Sequence, residues 1–437
     1  MKQRGRHRRR RRGRALRAFL AGTALALTAT ATLISASQAT VTDSPGALER
    51  LTSSAESRPL RLTEELEPQA SLDRLAKEMG RPVGVTTVLE SADRGLRDAI
   101  DCTAAERRSL PVAPVATSAY CWNTDDTRGW QAGAITTSGD ADDDGRWGAN
   151  RVILSGWTRS GGPAADRGLA RVAFVDANDP GNLTYTWVLL VVPVDGGRDY
   201  RPLTSHVSGM VWYQGKLLVT ADDGDSNALY VYDMARIQRT TVTGDAVGRV
   251  RGGWSAHGYR FAMPAVGSYR VAGGASAPHP GSVSLDRSTA PDSLVAGEWT
   301  LDGGDRRARL WRYSFSPGDD RAGLLATDPS GHVDADEVYG TKAAEVRGVL
   351  SYRSAWYVSR TTDGARDGRG TLWRQDEEGA KAAQCGAEET HRCWSGQTES
   401  LSYWESTGEV WTQSGRMLFA LPLASVEKSL GEELARQ

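Results

Sequence analysis

The sequence predicts an all-β fold, a single β-propeller of radially stacked four-stranded sheets. Three observations predict it. Gly supplies 48 of 437 residues and Trp 14, against only 5 Phe. That composition favours many turns and short aromatic strands over long helices. From about residue 120 to 423, short β-rich runs alternate with Gly, Asp and Ser turns. Within that stretch a unit repeats.

The clearest copies are Val207–Thr220 (VSGMVWYQGKLLVT) and Val346–Ser359 (VRGVLSYRSAWYVS), which align without a gap. A third runs from Thr398 to Thr412, and looser ones begin at Gln131 and Pro280. Each is followed by a further strand, as in Leu229–Tyr232 and Thr371–Arg374. A small residue anchors every copy: Gly133, Gly209, Ser282, Gly348 and Ser400. The anchors are 76, 73, 66 and 52 residues apart, room for about four short strands each. A lone four-stranded sheet cannot bury both faces, whereas sheets stacked around an axis bury the faces between them. Small anchors suit the crowded inner strand, and Trp and Tyr suit the wider space between blades. The reading is five blades. Six is the alternative, because the longest units could hide further strands, and a non-closed β-sandwich is the rival architecture.

The parts before the repeats differ in character. Residues 1–39 read as a signal peptide: arginines at 8–12, 14 and 17, an apolar centre from Ala18 to Leu27, and small residues at Ser37 and Ala39. Residues 40–70, rich in Ser, Thr, Pro and Glu, read as a flexible leader. Residues 71–119 read as a short helical or irregular segment. There Leu72, Leu75, Ala76 and Met79 recur at helical spacing, Ser71 is a candidate cap and Gly80 a candidate stop. Leu96, Ala99 and Ile100 suggest a second short helix. The propeller is placed at 120–425 and a C-terminal tail at 426–437.

The formal net charge is −1, but residues 1–39 hold ten Lys or Arg and no acid. The remainder carries 43 basic and 54 acidic residues, a net −11, which argues against a nucleic-acid partner. Beyond the signal no run reaches the roughly 18 apolar residues of a membrane span. The apolar run Trp187–Val192 fits a buried strand. Four cysteines suit an exported chain. Three pairings exist, and nearest neighbours give Cys102–Cys121 and Cys385–Cys393.

Several motifs occur together and in order: Tyr120-Cys121-Trp122, His206 through Tyr213 with Leu229 through Met234, His257 through Pro264, and Glu399 through Trp404. In these the chain resembles a group of secreted, uncharacterised β-propeller-like proteins of actinomycete type. The resemblance covers about residues 120–423. It implies export and the repeated β fold, and nothing about chemistry.

Residues at the entrance to each inner strand face the central channel of a propeller. Here they are Gln131, His206 with Ser208, His279, Glu345 with Arg347, and Glu399. Such a polar ring suits a pocket for a small molecule or glycan; it equally suits a solvated tunnel. Glu345 and Glu399 could supply the two carboxylates of a glycoside hydrolase, or Glu345 could simply pair with Arg347. The loop Asp140-Ala141-Asp142-Asp143-Asp144-Gly145 places Asp140, Asp142 and Asp144 at the alternate positions that can hold calcium. Arg151 stands where a full calcium loop has its bidentate Glu. A solvated acidic turn is the plainer reading, and the second acidic turn, Asp222–Asp225, reads as a hairpin. No G-x-S-x-G, phosphate loop or dinucleotide motif occurs, and zinc at the cysteines lacks a C-x-x-C, so calcium is the one cofactor the sequence suggests. The expected function is a secreted, monomeric, extracellular binding or scaffolding protein with a polar central-channel pocket. An extracellular glycoside hydrolase using Glu345 and Glu399 is the alternative.

Overall fold

Each repeat folds as one antiparallel sheet. The computed structural model describes residues 44–221, 227–271, 278–300, 307–361, 368–385 and 391–431. Blade 1 is Trp130–Thr137, Val152–Arg159, Ala170–Asp176 and Thr184–Val194. Blade 2 is Met210–Tyr213, Lys216–Thr220, Asn227–Asp233 and Phe261–Val271. Blade 3 is Pro280–Asp286, Ser293–Glu298, Ala308–Ser314 and Glu337–Thr341. Blade 4 is Val346–Tyr352, Ala355–Arg360, Thr371–Gln375 and Ala380–Ala382. Blade 5 takes Thr398–Trp404, Glu409–Ser414 and Met417–Pro422 from the C-terminal end. Its fourth strand is Ser118–Cys121, paired antiparallel with Met417–Ala420. The ring is thus closed by a strand that precedes blade 1.

The inner strands touch in the cyclic order 1-2-3-4-5-1. Strand alternation then fills the gaps between sheets. In blade 2, Met210 and Trp212 point into a core shared with Leu154, Val172 and Phe174 of blade 1. Val211 and Tyr213 point the other way, to Val283, Leu294 and Trp311 of blade 3. The same division gives one core between blades 3 and 4, one between 4 and 5, and one between 5 and 1. In the last, Trp122, Trp157, Tyr185 and Trp187 pack largely edge to face. Each fully buried aliphatic or aromatic side chain contributes about 1.5–3 kcal/mol relative to exposure.

The small anchors mark where neighbouring blades come closest. A Cβ on Gly133 would lie 1.9 Å from Val207 O of the entry to blade 2. One on Gly209 would lie 2.7 Å from Val283 N in blade 3. Five blades suffice for the long units because their extra length lies outside the blades. The hairpin Val247–Val250 and Gly253–Ala256 is an insertion before the outer strand of blade 2. That outer strand runs from Phe261 to Val271. Its first part, Phe261–Pro264, pairs in parallel with blade 1 and its remainder with Asn227–Tyr232.

The segment expected to be a flexible leader is tied down over its described part. Gln375 Nε2 donates to Gly46 O at 2.8 Å, and Leu48 N to Asp376 O, both on blade 4. Glu49–Arg50 then pairs with the outer strand of blade 3, and Leu62–Leu66 with that of blade 2. Arg94–Gly95 pairs with blade 1, and Arg97–Asp98 with Ser118–Cys121 of blade 5. The chain therefore circles the perimeter, blade 4 to blade 5, as a strap that satisfies outer-edge backbone groups.

Two helices lie in the strap. Gln69–Met79 buries Leu72, Leu75 and Met79 and stops at Gly80, but Pro68, not Ser71, precedes its first turn. The second helix is Val85–Glu90, which buries Val85, Val88 and Leu89. The stretch with Leu96, Ala99 and Ile100 instead forms edge strands and a single tight turn, and Ile100 is exposed. The region expected to be a tail begins inside a helix, Leu423–Ser429. Both nearest-neighbour disulfides are formed. Among the described residues no helix is long and apolar enough to cross a membrane. The expected signal peptide and the Asp222–Asp225 turn lie outside the described residues.

Candidate functional site at the channel mouth

The channel end of four inner strands is irregular at the anchor. The pairing register shifts between Ala132 and Ile135, Pro280 and Ser282, Val346 and Gly348, and Thr398 and Leu401. A bulge leaves a residue unpaired and re-aims its side chain. The residues so released include Gly133, Gly281, Arg347 and Glu399. Two charged groups that strict alternation would constrain are thereby free to meet across the channel mouth.

They do meet. The Glu399 carboxylate is 7% exposed. Its Oε2 lies 2.9 Å from His206 Nε2, and Arg347 Nη1 donates to its Oε1 at 3.4 Å. A Cβ on Gly133 would come within 3.1 Å of Glu399 Oε2, so the bare glycine also makes room for the carboxylate. Burial disfavours a charged imidazole at His206. The hydrogen bond and charge of Glu399 outweigh that and the repulsion from Arg347, so the His206 pKa is raised.

Beside this triad opens a cavity of about 600 Å³, lined in part by Gln131, Arg347 and Glu399. Sequence reasoning missed Trp130, Trp157 and Arg416, which also line it, and Glu106 and Ser109, which the strap supplies. One signal for Glu106 was legible: Thr103-Ala104-Ala105-Glu106 is a capping box, and both of its hydrogen bonds are made. Burial would raise the Glu106 pKa, but bonds from Thr103 and the charge of Arg97 hold it below the usual carboxylate value. Trp130 is held from behind by Arg171, whose guanidinium lies 3.8 Å from its ring centre and 3.5 Å from that of Trp187. Burial lowers the Arg171 pKa to about 10.

The other expected residues are placed differently. Ser208 bonds within its own blade, its N–H and hydroxyl both 3.1 Å from Thr220 Oγ1. His279 is half-buried at the entry to blade 3, and its Nδ1 has no hydrogen-bond partner among the described residues. Glu345 takes a left-handed backbone conformation (φ 54°), donates from its N–H to Thr300 O, and accepts from Thr361 Oγ1 at 3.5 Å. Glu345 does not pair with Arg347 as a strut, because Arg347 reaches Glu399 instead.

The acidic loop does not gather its carboxylates. Asp140 turns inward, where Thr136 and Ser402 donate to its Oδ2 at 2.6 and 2.8 Å. Burial raises its pKa to about 6, against those bonds. Asp142 and Asp144 accept backbone N–H groups two residues on, and Asp143 pairs with Arg287. Among the described residues these acids form no three-membered cluster; the one such grouping is Cys102, Glu106 and Cys121, whose sulfurs are joined in a disulfide.

Strand pairing and site together define a class: a closed five-bladed propeller with a polar, charge-paired channel mouth. No family model and no curated protein matches the chain. Solved structures match loosely. A gluconolactonase from Xanthomonas campestris is 10% identical over 79% of this chain and 97% of its own, with a TM-score of 0.30. The extracellular domain of the hybrid two-component system BT4673 from B. thetaiotaomicron is 11% identical over 76% of this chain and 43% of its own (TM-score 0.29). Sqt1 from Chaetomium thermophilum is 9% identical over 68% and 97% (TM-score 0.25). Similarity at this level carries nothing about chemistry, and the blade count rests on the pairing alone.

Proposed function

We propose that the chain is exported and acts outside the cell as a binding protein that takes a small polar ligand at its channel mouth. One observation carries this: bulges in separate blades turn Arg347 and Glu399 toward one point, where His206 joins them beside a cavity. Convergent polar groups in a concavity are the usual mark of a ligand site. Two disulfides support an oxidising destination. The hydrolase reading has less support. Its mechanism needs two carboxylates flanking one bond, and the two oxygens of Glu399 are engaged by Arg347 and His206 while Glu345 accepts from Thr361.

The test is a thermal-shift screen of polar metabolites on the secreted protein, with Arg347→Ala alongside. Ligands that stabilise the wild type and not the variant support the reading. A screen in which no compound discriminates the two overturns it, and turnover of chromogenic glycosides abolished by Glu399→Gln would favour the hydrolase.

A further inference from the structure

Trp299 stands out among the aromatic residues. Most tryptophans of the protein are fully buried, yet Trp299 is 43% exposed, and among the described residues no other Trp is classed as exposed. It follows directly on Ser293–Glu298 of blade 3, at the channel end. Its ring centre lies 5.8 Å from the guanidinium of Arg347, the residue that also holds Glu399. Its place is fixed by a close approach: a Cβ on Gly281 would sit 2.9 Å from Trp299 Cβ and 3.0 Å from its N. Gly281 is the residue released by the blade 3 bulge. The device that frees Arg347 and Glu399 therefore also seats an exposed indole beside Arg347.

The charges around the cavity are balanced in number, and both carboxylates are already paired, while Arg416 Nε donates to Thr127 Oγ1 at 3.0 Å. Its lining holds Arg347 and Arg416 against Glu106 and Glu399. Glu399 is engaged by Arg347 and His206, and Glu106 by Arg97. An anion approaching Arg347 would have to displace Glu399, and a cation approaching Glu399 would meet Arg347 and His206. A neutral polyhydroxylated ligand can donate to the carboxylate and accept from the guanidinium while leaving the pair intact. Gln131 adds a group that both donates and accepts. The apolar face of such a ligand needs an aromatic surface, and Trp130 has Arg171 at 3.8 Å and Arg159 at 5.4 Å over its ring. Trp299, more exposed and with only Arg347 near its ring at 5.8 Å, offers one.

We propose that the channel mouth takes a neutral saccharide, stacked on Trp299 and hydrogen-bonded by Glu399, Arg347 and Gln131. This rests on the ligand-pocket reading above and names its substrate class. The experiment is titration calorimetry on the secreted protein with maltohexaose, cellohexaose, xylohexaose, mannohexaose and chitohexaose, and with citrate as a charged probe. At least one neutral hexasaccharide should bind saturably below about 10 mM, with Trp299→Ala weakening it by about tenfold or more. Gly281→Ala, whose added carbon meets Trp299 and none of the polar side chains named above, should weaken the same sugar. Melting temperatures of both variants separate loss of binding from loss of fold. If citrate alone binds, in an Arg347-dependent way, the saccharide proposal falls and the pocket reading stands. If neither sugars nor citrate bind, both fall, and sugar binding indifferent to Trp299→Ala also overturns the proposal.

Discussion

Gly133→Ala adds one methyl group at the tightest joint of the ring. The new carbon would sit 1.9 Å from Val207 O, where ordinary contact begins near 3.4 Å. The entry to blade 2 must retreat by more than an ångström, and it is not free to do so. Val207 is fully buried, and its N–H donates to Thr158 Oγ1 of blade 1 at 2.9 Å. Overpacking typically costs about 1–3 kcal/mol, and losing that hydrogen bond adds about 1 kcal/mol, so about 2–4 kcal/mol is expected. Unfolding entropy for the roughly 360 described residues is about 0.8 kcal/mol per kelvin, so Tm should fall by about 3–5 °C. Scanning calorimetry reads this directly. Gly209→Val, against Val283, should cost about 1–3 kcal/mol by the same mechanism. Gly215→Ala is the control, with nothing within 4 Å of the added carbon and no left-handed backbone. A Gly133→Ala protein that melts with the wild type would refute the closed ring of inner strands.

Three further outcomes follow from the described geometry. Asp140 has a folded pKa of about 6, above its unfolded value near 3.8, so its contribution is greatest at low pH and is lost as pH rises through 6. That loss is about 3 kcal/mol, and Asp140→Asn should flatten the urea-midpoint profile between about pH 4 and 6; an unchanged slope would count against it. At His206, Glu399→Gln removes what raises the pKa and leaves burial and Arg347, which lower it. The imidazole should then titrate at lower pH by NMR than in the wild type, and an unmoved titration would deny the pairing. The wild-type His206 stability term is present at acid pH and lost as pH rises through its raised folded pKa, above about 6.5. Replacing Cys102 and Cys121 by Ser opens a loop of 19 residues and should cost about 3 kcal/mol in chemical denaturation; a loss below about 1 kcal/mol would show that Ser118–Cys121 is held by its strand pairing alone.

The blades were legible because each carries its own pattern. Met210 and Trp212 alternate with Val211 and Tyr213, and that alternation is what fills two different gaps. The disulfides were legible because loop closure favours near neighbours. The strap was not, for the reason that makes it work. Strands of two residues, or a run such as Leu62-Thr63-Glu64-Glu65-Leu66, sit on an outer edge and need little apolar character. Their partners lie hundreds of residues away, and no local signal names them. The site was half legible. Position at the channel entrance marked Glu399, Arg347 and His206, but the register shifts that bring them together belong to pairing between strands. The partnership of Glu399 with His206 follows from the ring, which sets blade 5 beside blade 1 and blade 1 beside blade 2.

The perimeter strap reverses the usual order of assembly. Gly46 and Leu48, near the start of the described residues, bond to Gln375 and Asp376, separated from them by more than three hundred positions. Ser118–Cys121 likewise waits for Met417–Ala420 before its sheet exists. Contacts so distant in sequence form slowly, because the chain between them must be ordered first. The ring therefore cannot close until Met417–Ala420 has been made.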